Sequence, residues 1–193
     1  MSSLNSSRTN TLVLALGANI SSPAGPPIAT LISTKPLLEK VICEWMQVVQ
    51  ETDQDISSIY SSLNWTWSPL YKTKPIGGPS NQPDYVNAVV IIKGGFLNKK
   101  NPSENAALEL LKRLLKLETE FGRNRASSKI RWGPRSLDID IISWGELHLN
   151  TSNLKLPHPR LTERAFVVIP LAKAMQKYSN DITQITGQKG WPE

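Results

Sequence analysis

The sequence holds a single cysteine, Cys43, so no intrachain disulfide can form, and that usage agrees with a reducing compartment. No apolar run approaches the roughly 20 residues needed to span a bilayer; AVVII over 88–92 is among the longest. The opening MSSLNSSRTN lacks the apolar middle of a secretory signal and reads as a flexible tail over residues 1–10. Together these absences predict a cytoplasmic protein. There are only two histidines, His148 and His158, far apart in the chain, which offers little for a histidine-based metal site. There is no G-x-x-x-x-G-K-[ST], so this is no P-loop enzyme, and G-x-G-x-x-G, H-E-x-x-H and C-x-x-C are missing too.

What is present is positive charge. The 193 residues fit one domain, placed at 11–193, and carry a net charge of +6. Eight basic and two acidic residues between Lys112 and Arg135 account for a share equal to that whole excess. Such a balance favours an anionic partner: nucleic acid, an acidic membrane surface or a phosphorylated small molecule. Charge alone does not choose among them.

The apolar patterning predicts the elements. TLVLALG (11–17) is a buried strand ended by glycine, and ALGAN reads as a strand-end turn. A helix is expected from roughly 34 to 50, with Thr34 as N-cap and Pro36 in the first turn. Residues 61–73 alternate Leu63, Trp65 and Trp67 with polar neighbours, a half-buried strand with an irregularity at proline. PIGGPSNQP (75–83) is a loop, and 84–94 is a second strand paired with the first. Residues 101–122 form the clearest helix, capped by Asn101 or Ser103 and ended by Gly122. SLDIDII (136–142) is a strand, 143–150 suggests a short hairpin, and 161–175 includes a last helix. The order is β-α-β-β-α-β plus a C-terminal extension, that of an α+β ferredoxin-like sandwich with one antiparallel sheet.

Two aspartates interrupt the strand RWGPRSLDIDII. Side chains alternate along a strand, so Asp138 and Asp140 share a face with Ser136 and Ile142, while Leu137, Ile139 and Ile141 take the other. Carboxylates so placed can converge on a hard cation such as Mg²⁺, which takes one or two of them and completes its shell with water and phosphate. The adjoining basic loop suits a polyphosphate. Tyr85 and Asn87 also share a strand face, an aromatic ring beside an amide, as a flat heterocycle would require. Spacing alone leaves three readings level: a phosphoryl transferase, a nucleic-acid-binding module using Trp65, Trp67 and Tyr85, and a metal-dependent phosphodiesterase.

The segment RWGPRSLDIDII resembles the signature of 6-hydroxymethyl-7,8-dihydropterin pyrophosphokinases. ALGAN, YKTKPIGGPSNQPDYVNAVV, LETEFGRNR and LPHPRLTERAFVVIPL resemble further pieces of that family, in the same order, from about residue 11 to 175. The resemblance implies transfer of pyrophosphate from ATP to the pterin hydroxymethyl group, with release of AMP, in folate biosynthesis. It implies ATP as co-substrate and two Mg²⁺ ions held by Asp138 and Asp140, with Arg125 and Arg135 as further catalytic residues. The pterin pocket maps onto Thr73, Ile76, Tyr85, Asn87 and Phe166. The nucleotide side maps onto Glu118, Trp132, Ile141, His158 and Arg164. The partners implied are small-molecule substrates, with no nucleic acid and no membrane, acting on a monomer. Loops 75–83 and 123–131 are expected to close over the nucleotide and exclude water.

Overall fold

The computed structural model describes residues 10–125, 132–159 and 182–191. In chain order they form β1 (Leu12–Ala18), α1 (Pro27–Gln50), α2 (Ile56–Ser61), β2 (Leu63–Trp67), β3 (Leu70–Thr73) and β4 (Tyr85–Gly94). There follow α3 (Gly95–Lys99), α4 (Glu104–Glu120), β5 (Asp138–Trp144), β6 (Leu149–Asn150), β7 (Lys155–Leu156) and β8 (Ile182–Ile185). The main sheet runs β5-β1-β4-β3-β8, with β2 beside β3 on the same edge of β4, and every pairing is antiparallel. With β2 and β3 counted as one interrupted strand, this is the ferredoxin-like α+β sandwich. Helices α1 and α4 pack on each other; α1 lies against β1 and β4, α4 against β5.

The period-2 pattern of the strands divides the sheet into two faces. Leu12, Leu14 and Leu16 of β1, Ala88, Val90 and Ile92 of β4, and Ile139 and Ile141 of β5 point to the helices. There they meet Leu31, Leu38, Ile42 and Trp45 of α1 and Leu110, Leu114 and Leu117 of α4 in one core. On the opposite face Val13, Ala15, Val89 and Ile142 form a smaller apolar cluster. Asp138 and Asp140 belong to this second face, as the alternation predicts.

Several boundaries differ from the sequence reading. Helix α1 begins at Pro27, where proline's fixed φ and missing N–H are harmless. Thr34 is not its cap: the hydroxyl donates to Thr30 O at 2.8 Å inside the helix, and Pro36 lies in the interior. Asn10 is not part of a loose tail; it is buried, and its side chain donates to Leu97 O and Lys100 O at 3.2 Å each. The short hairpin is β6–β7, later than expected, because β5 continues to Trp144. The helix expected over 161–175 lies outside the described residues.

The expected single strand 61–73 is two strands separated by a slip. Trp67 pairs with Val90, but Tyr71 pairs with Asn87, so β3 carries one extra residue relative to β4. A one-residue insertion exchanges the faces. Trp67 and Leu70 both point to the helix-side core, and Thr73 is thereby brought to the face that holds the aspartates. Ser68 stabilises the slip: its N–H donates to Val89 O, and its hydroxyl oxygen accepts from Val89 N, each at 2.9 Å.

Two buried tryptophans meet edge to face, Trp45 and Trp144, with ring centroids 5.0 Å apart. Trp45 Nε1 donates to Ala106 O at 2.9 Å, tying α1 to α4, whereas Trp144 Nε1 has no acceptor among the described residues. The contrast predicts that Trp45→Phe costs about 1 kcal/mol more stability than Trp144→Phe, measured by urea denaturation, because only the former removes a buried hydrogen bond.

Candidate active site

The site face is built in rows across the sheet. Asp138 of β5 stands beside Gly17 of β1, which stands beside Asn87 of β4, which stands beside Tyr71 of β3. The next row carries Asp140, Ala15 and Val89. Gly17 leaves the first row open: a Cβ there would lie 2.7 Å from Asn87 Oδ1. The Asn87 amide occupies that space, and its Nδ2 donates to Thr73 Oγ1 at 2.7 Å. Thr73 pairs with Tyr85, so Thr73, Tyr85 and Asn87 are neighbours.

The charged side lies between the end of α4 and the start of β5. Glu118 is only 1% exposed, and its carboxylate is fully engaged. Oε1 accepts from Arg123 Nη1 at 3.1 Å and from Ile139 N at 2.8 Å; Oε2 accepts from Arg125 Nη2 at 2.5 Å and Nε at 3.2 Å. Arg123 Nη1 also donates to Leu137 O at 3.0 Å and to the Asp138 carboxylate. Arg135 Nη1 donates to the other oxygen of Asp138. Glu118 thus faces the arginines it holds rather than solvent. Ile141 is a core side chain.

The two acids respond oppositely to this setting. Burial works to raise Asp138, but the guanidinium groups of Arg135 and Arg123 outweigh it and hold the carboxyl below its ordinary value. Burial dominates at Glu118 and holds it above its ordinary value despite Arg123. The signs for stability follow. Asp138's contribution is full above its unfolded value and lost as pH falls through its lowered folded value. Glu118's is full below its unfolded value and lost as pH rises through its raised one.

Two loops close the end of the rows. Trp132 adopts φ +58° and is 36% exposed. Gly77 and Gly78, both at positive φ, lie so close to it that a Cβ would fall 2.8 Å from its ring at Gly77 and 2.3 Å from its carbonyl oxygen at Gly78. Gln82 Nε2 donates to Trp132 O at 3.0 Å and to Gly77 O at 3.2 Å. Ile76, beside these glycines, is 75% exposed. Asn19 ties both loops to β1: its Oδ1 accepts from Arg135 N at 2.7 Å, and its Nδ2 donates to Pro83 O at 3.1 Å. His158 N donates to Ile142 O at 2.8 Å, which sets that residue beside β5. Phe166 and Arg164 lie outside the described residues.

Sequence reasoning missed Gly17, Asn19, Gln82 and the specific part of Arg123. The ALGAN motif carried the first two, but a strand-end turn accounted for it. Trp67 and Trp65 are not on the open face; the first is buried in the helix-side core, and the second packs against it and stacks on Tyr60 at 5.6 Å. A nucleic-acid module would need those rings on the open face. Among the described residues no helix is long and apolar enough to cross a membrane.

The model of a family described as 7,8-dihydro-6-hydroxymethylpterin-pyrophosphokinase matches residues 13–176. Relatives named 2-amino-4-hydroxy-6-hydroxymethyldihydropteridine pyrophosphokinase include one from Haemophilus influenzae, 40% identical over 60% of this chain and 64% of the relative. Another, from Bacillus subtilis, is 37% identical over 64% of this chain and 66% of the relative. A third, from Aquifex aeolicus, is 31% identical over 83% and 78%. The chain therefore spans slightly less than two thirds of the length of the first two.

The burial contrast within the arginine cluster predicts a contrast in stability. Glu118→Ala removes the acid from a buried network and lowers unfolding free energy by about 3–5 kcal/mol. Arg125→Ala, whose side chain is 53% exposed, costs less than about 1 kcal/mol. Chemical denaturation of both variants checks the difference.

Proposed function

Because the chain belongs to the 7,8-dihydro-6-hydroxymethylpterin-pyrophosphokinase family, we propose that it moves a pyrophosphoryl group from ATP to 6-hydroxymethyl-7,8-dihydropterin, releasing AMP, in folate biosynthesis. The observation that carries this reading is the row Asp138, Gly17, Asn87: a carboxylate and a fixed amide on one sheet face, separated by a residue with no side chain. The amide and Thr73 fit the hydrogen-bonding edge of a pterin, and Tyr85 offers its ring. The basic cluster beside Asp138 fits a triphosphate. A place in the cytoplasm and action as a monomer belong to the same reading.

In the reaction the hydroxymethyl oxygen bonds to the β-phosphorus of ATP. The bond from that phosphorus to the oxygen bridging it to the α-phosphorus breaks, AMP leaves with the electron pair, and the hydroxyl proton is released to solvent. No covalent enzyme intermediate is needed, so the chain contributes orientation and charge. Asn87 and Thr73 fix the pterin edge, while Arg125, Arg135, Trp132 and His158 serve the nucleotide, joined by Arg164. Tyr85 and Ile76 belong to the pterin side, and the family resemblance adds Phe166 to them. Gly77, Gly78 and Gln82 hold the covering loop on Trp132 and limit water.

Asp138 and Asp140 supply hard oxygen donors on one face, which fits Mg²⁺, an ion that needs only one or two protein carboxylates. We assign two ions to them. When bound, Mg²⁺ offsets charge on phosphate oxygens. Arg123 and Arg135, which donate to the Asp138 carboxylate, set two guanidinium groups beside that face, where phosphate oxygens would meet them.

AMP release should require MgATP and the reduced pterin alcohol together. Asp140→Ala should lower turnover at least ~100-fold with melting behaviour kept; near-normal turnover would remove the metal role. Gly17→Ala should weaken pterin binding about tenfold or more, by displacing the Asn87 amide, with MgATP binding unchanged. Calorimetric titration of each ligand reads the difference.

A further inference from the structure

Trp191 lies beyond the matched span 13–176, yet it is 7% exposed and packed into the helix-side core. Its indole Nε1 donates to Ser68 O at 2.7 Å. Its ring meets Trp67 edge to face at 5.2 Å, and Lys35 Nζ lies 5.6 Å from both ring centroids while donating to Gly190 O at 3.1 Å. Just before it in the chain, β8 pairs with the whole of β3, from Leu70↔Ile185 to Thr73↔Ile182.

Ser68 is the residue at which the chain slips by one against β4. A bulge takes backbone groups out of the regular ladder, and a buried carbonyl there needs a donor from elsewhere. The Trp191 indole supplies it. The slip decides which face each β3 side chain takes: with it, Thr73 meets Asn87 on the site face. Without it, alternation continued from Trp67 would send Tyr71 and Thr73 to the helix side. On its inner edge β3 is held to β4 by only three residue pairs, Tyr71 to Thr73. So short a strand depends on what fixes its start and its outer edge.

We propose that Trp191, with β8, is a positioning element for the pterin side: it pins the Ser68 bulge and so holds β3 in the phase that presents Thr73 to Asn87. The claim rests on the pterin reading for its ligand, but not for its structural half. Trp191 touches no substrate and acts through Ser68 and β3.

The test compares Trp191→Phe, which keeps a ring but loses the donor, with Trp191→Ala. Amide hydrogen exchange in the ligand-free protein should rise about tenfold at Tyr71, Lys72, Thr73 and Val89, with β1 and β5 amides unchanged. With a non-hydrolysable ATP analogue saturating, the dissociation constant of the reduced pterin alcohol should rise about tenfold in Trp191→Ala and less in Trp191→Phe. The analogue's own constant should stay within about twofold. Unchanged exchange at 71–73, an equal rise across β1 and β5, or parallel loss of both ligands would overturn the proposal. If the wild-type protein does not bind the pterin alcohol, the proposed function fails, and the exchange pattern alone decides the role of Trp191.

Discussion

One carboxylate is taken wholly out of water and a second largely so where α4 hands the chain to β5, and that burial organises the charged half of the molecule. A buried carboxylate is tolerated only when charge and hydrogen bonds replace its hydration. Glu118 meets this condition with Arg123, Arg125 and the Ile139 N–H; Asp138 meets it with Arg123 and Arg135. Arg123 serves both acids, so the end of the helix, the basic loop and the first residues of the strand are fixed by one guanidinium. Glu118 would be mildly disfavoured near a helix C-terminus by the dipole alone. The two arginines outweigh that term. The chain can reverse there because Gly122 takes φ +82°, in a space where a Cβ would lie 3.2 Å from Pro23 Cδ.

The uncharged half depends instead on missing atoms and on register. Gly17 opens the row between Asp138 and Asn87, and the slip at Ser68 turns Thr73 toward the same row. Neither effect is a favourable contact in itself. Each determines where an existing polar group points, and the 2.7 Å bond from Asn87 to Thr73 follows from both. The site therefore sits on strands whose other faces are locked into the core, so its geometry inherits the rigidity of the sheet.

This division explains what the sequence disclosed. The alternation of Leu137, Ile139 and Ile141 with Asp138 and Asp140 was legible because period 2 is unbroken until after Asp140. The irregularity comes later, between Leu14 and Val13 of β1, where Ile142 is the extra residue on β5. Helix α4 was legible from its apolar stripe. The β2–β3 stretch was legible only in part: proline marked the break at Ser68–Pro69, but composition does not show that a single inserted residue there reverses the faces. Thr34 and Pro36 misled for a related reason: both suit a helix start, but Pro26 and Pro27 suit it too, and the apolar residues Leu31 and Leu38 extend burial backward. Burial of Glu118 could not be read from a helix whose neighbours are charged, since charge pattern does not say which acid will be covered by arginines that come later in the chain.

The loops obey different physics from the sheet they cover. Gly77 and Gly78 approach Trp132 so closely that no side chain fits between them, yet the approach is held by hydrogen bonds from the side-chain amide of one half-buried glutamine and by the Asn19 bridge. Few buried apolar contacts accompany it, and Ile76 stands almost wholly in solvent. Segments held this way open at far less free energy than core strands. A ligand that adds contacts to the loops can therefore change their population, and Arg123 and Arg135, which donate to the Asp138 carboxylate, carry that change to the row. Asn19, a buried residue one step past β1, bonds to each loop, and the Tyr85 hydroxyl of β4 adds a bond to Gly133 O at 3.4 Å. A change in either loop is therefore felt at the Asn19 amide, which makes that residue a physical link between the covering segments and the row beneath them.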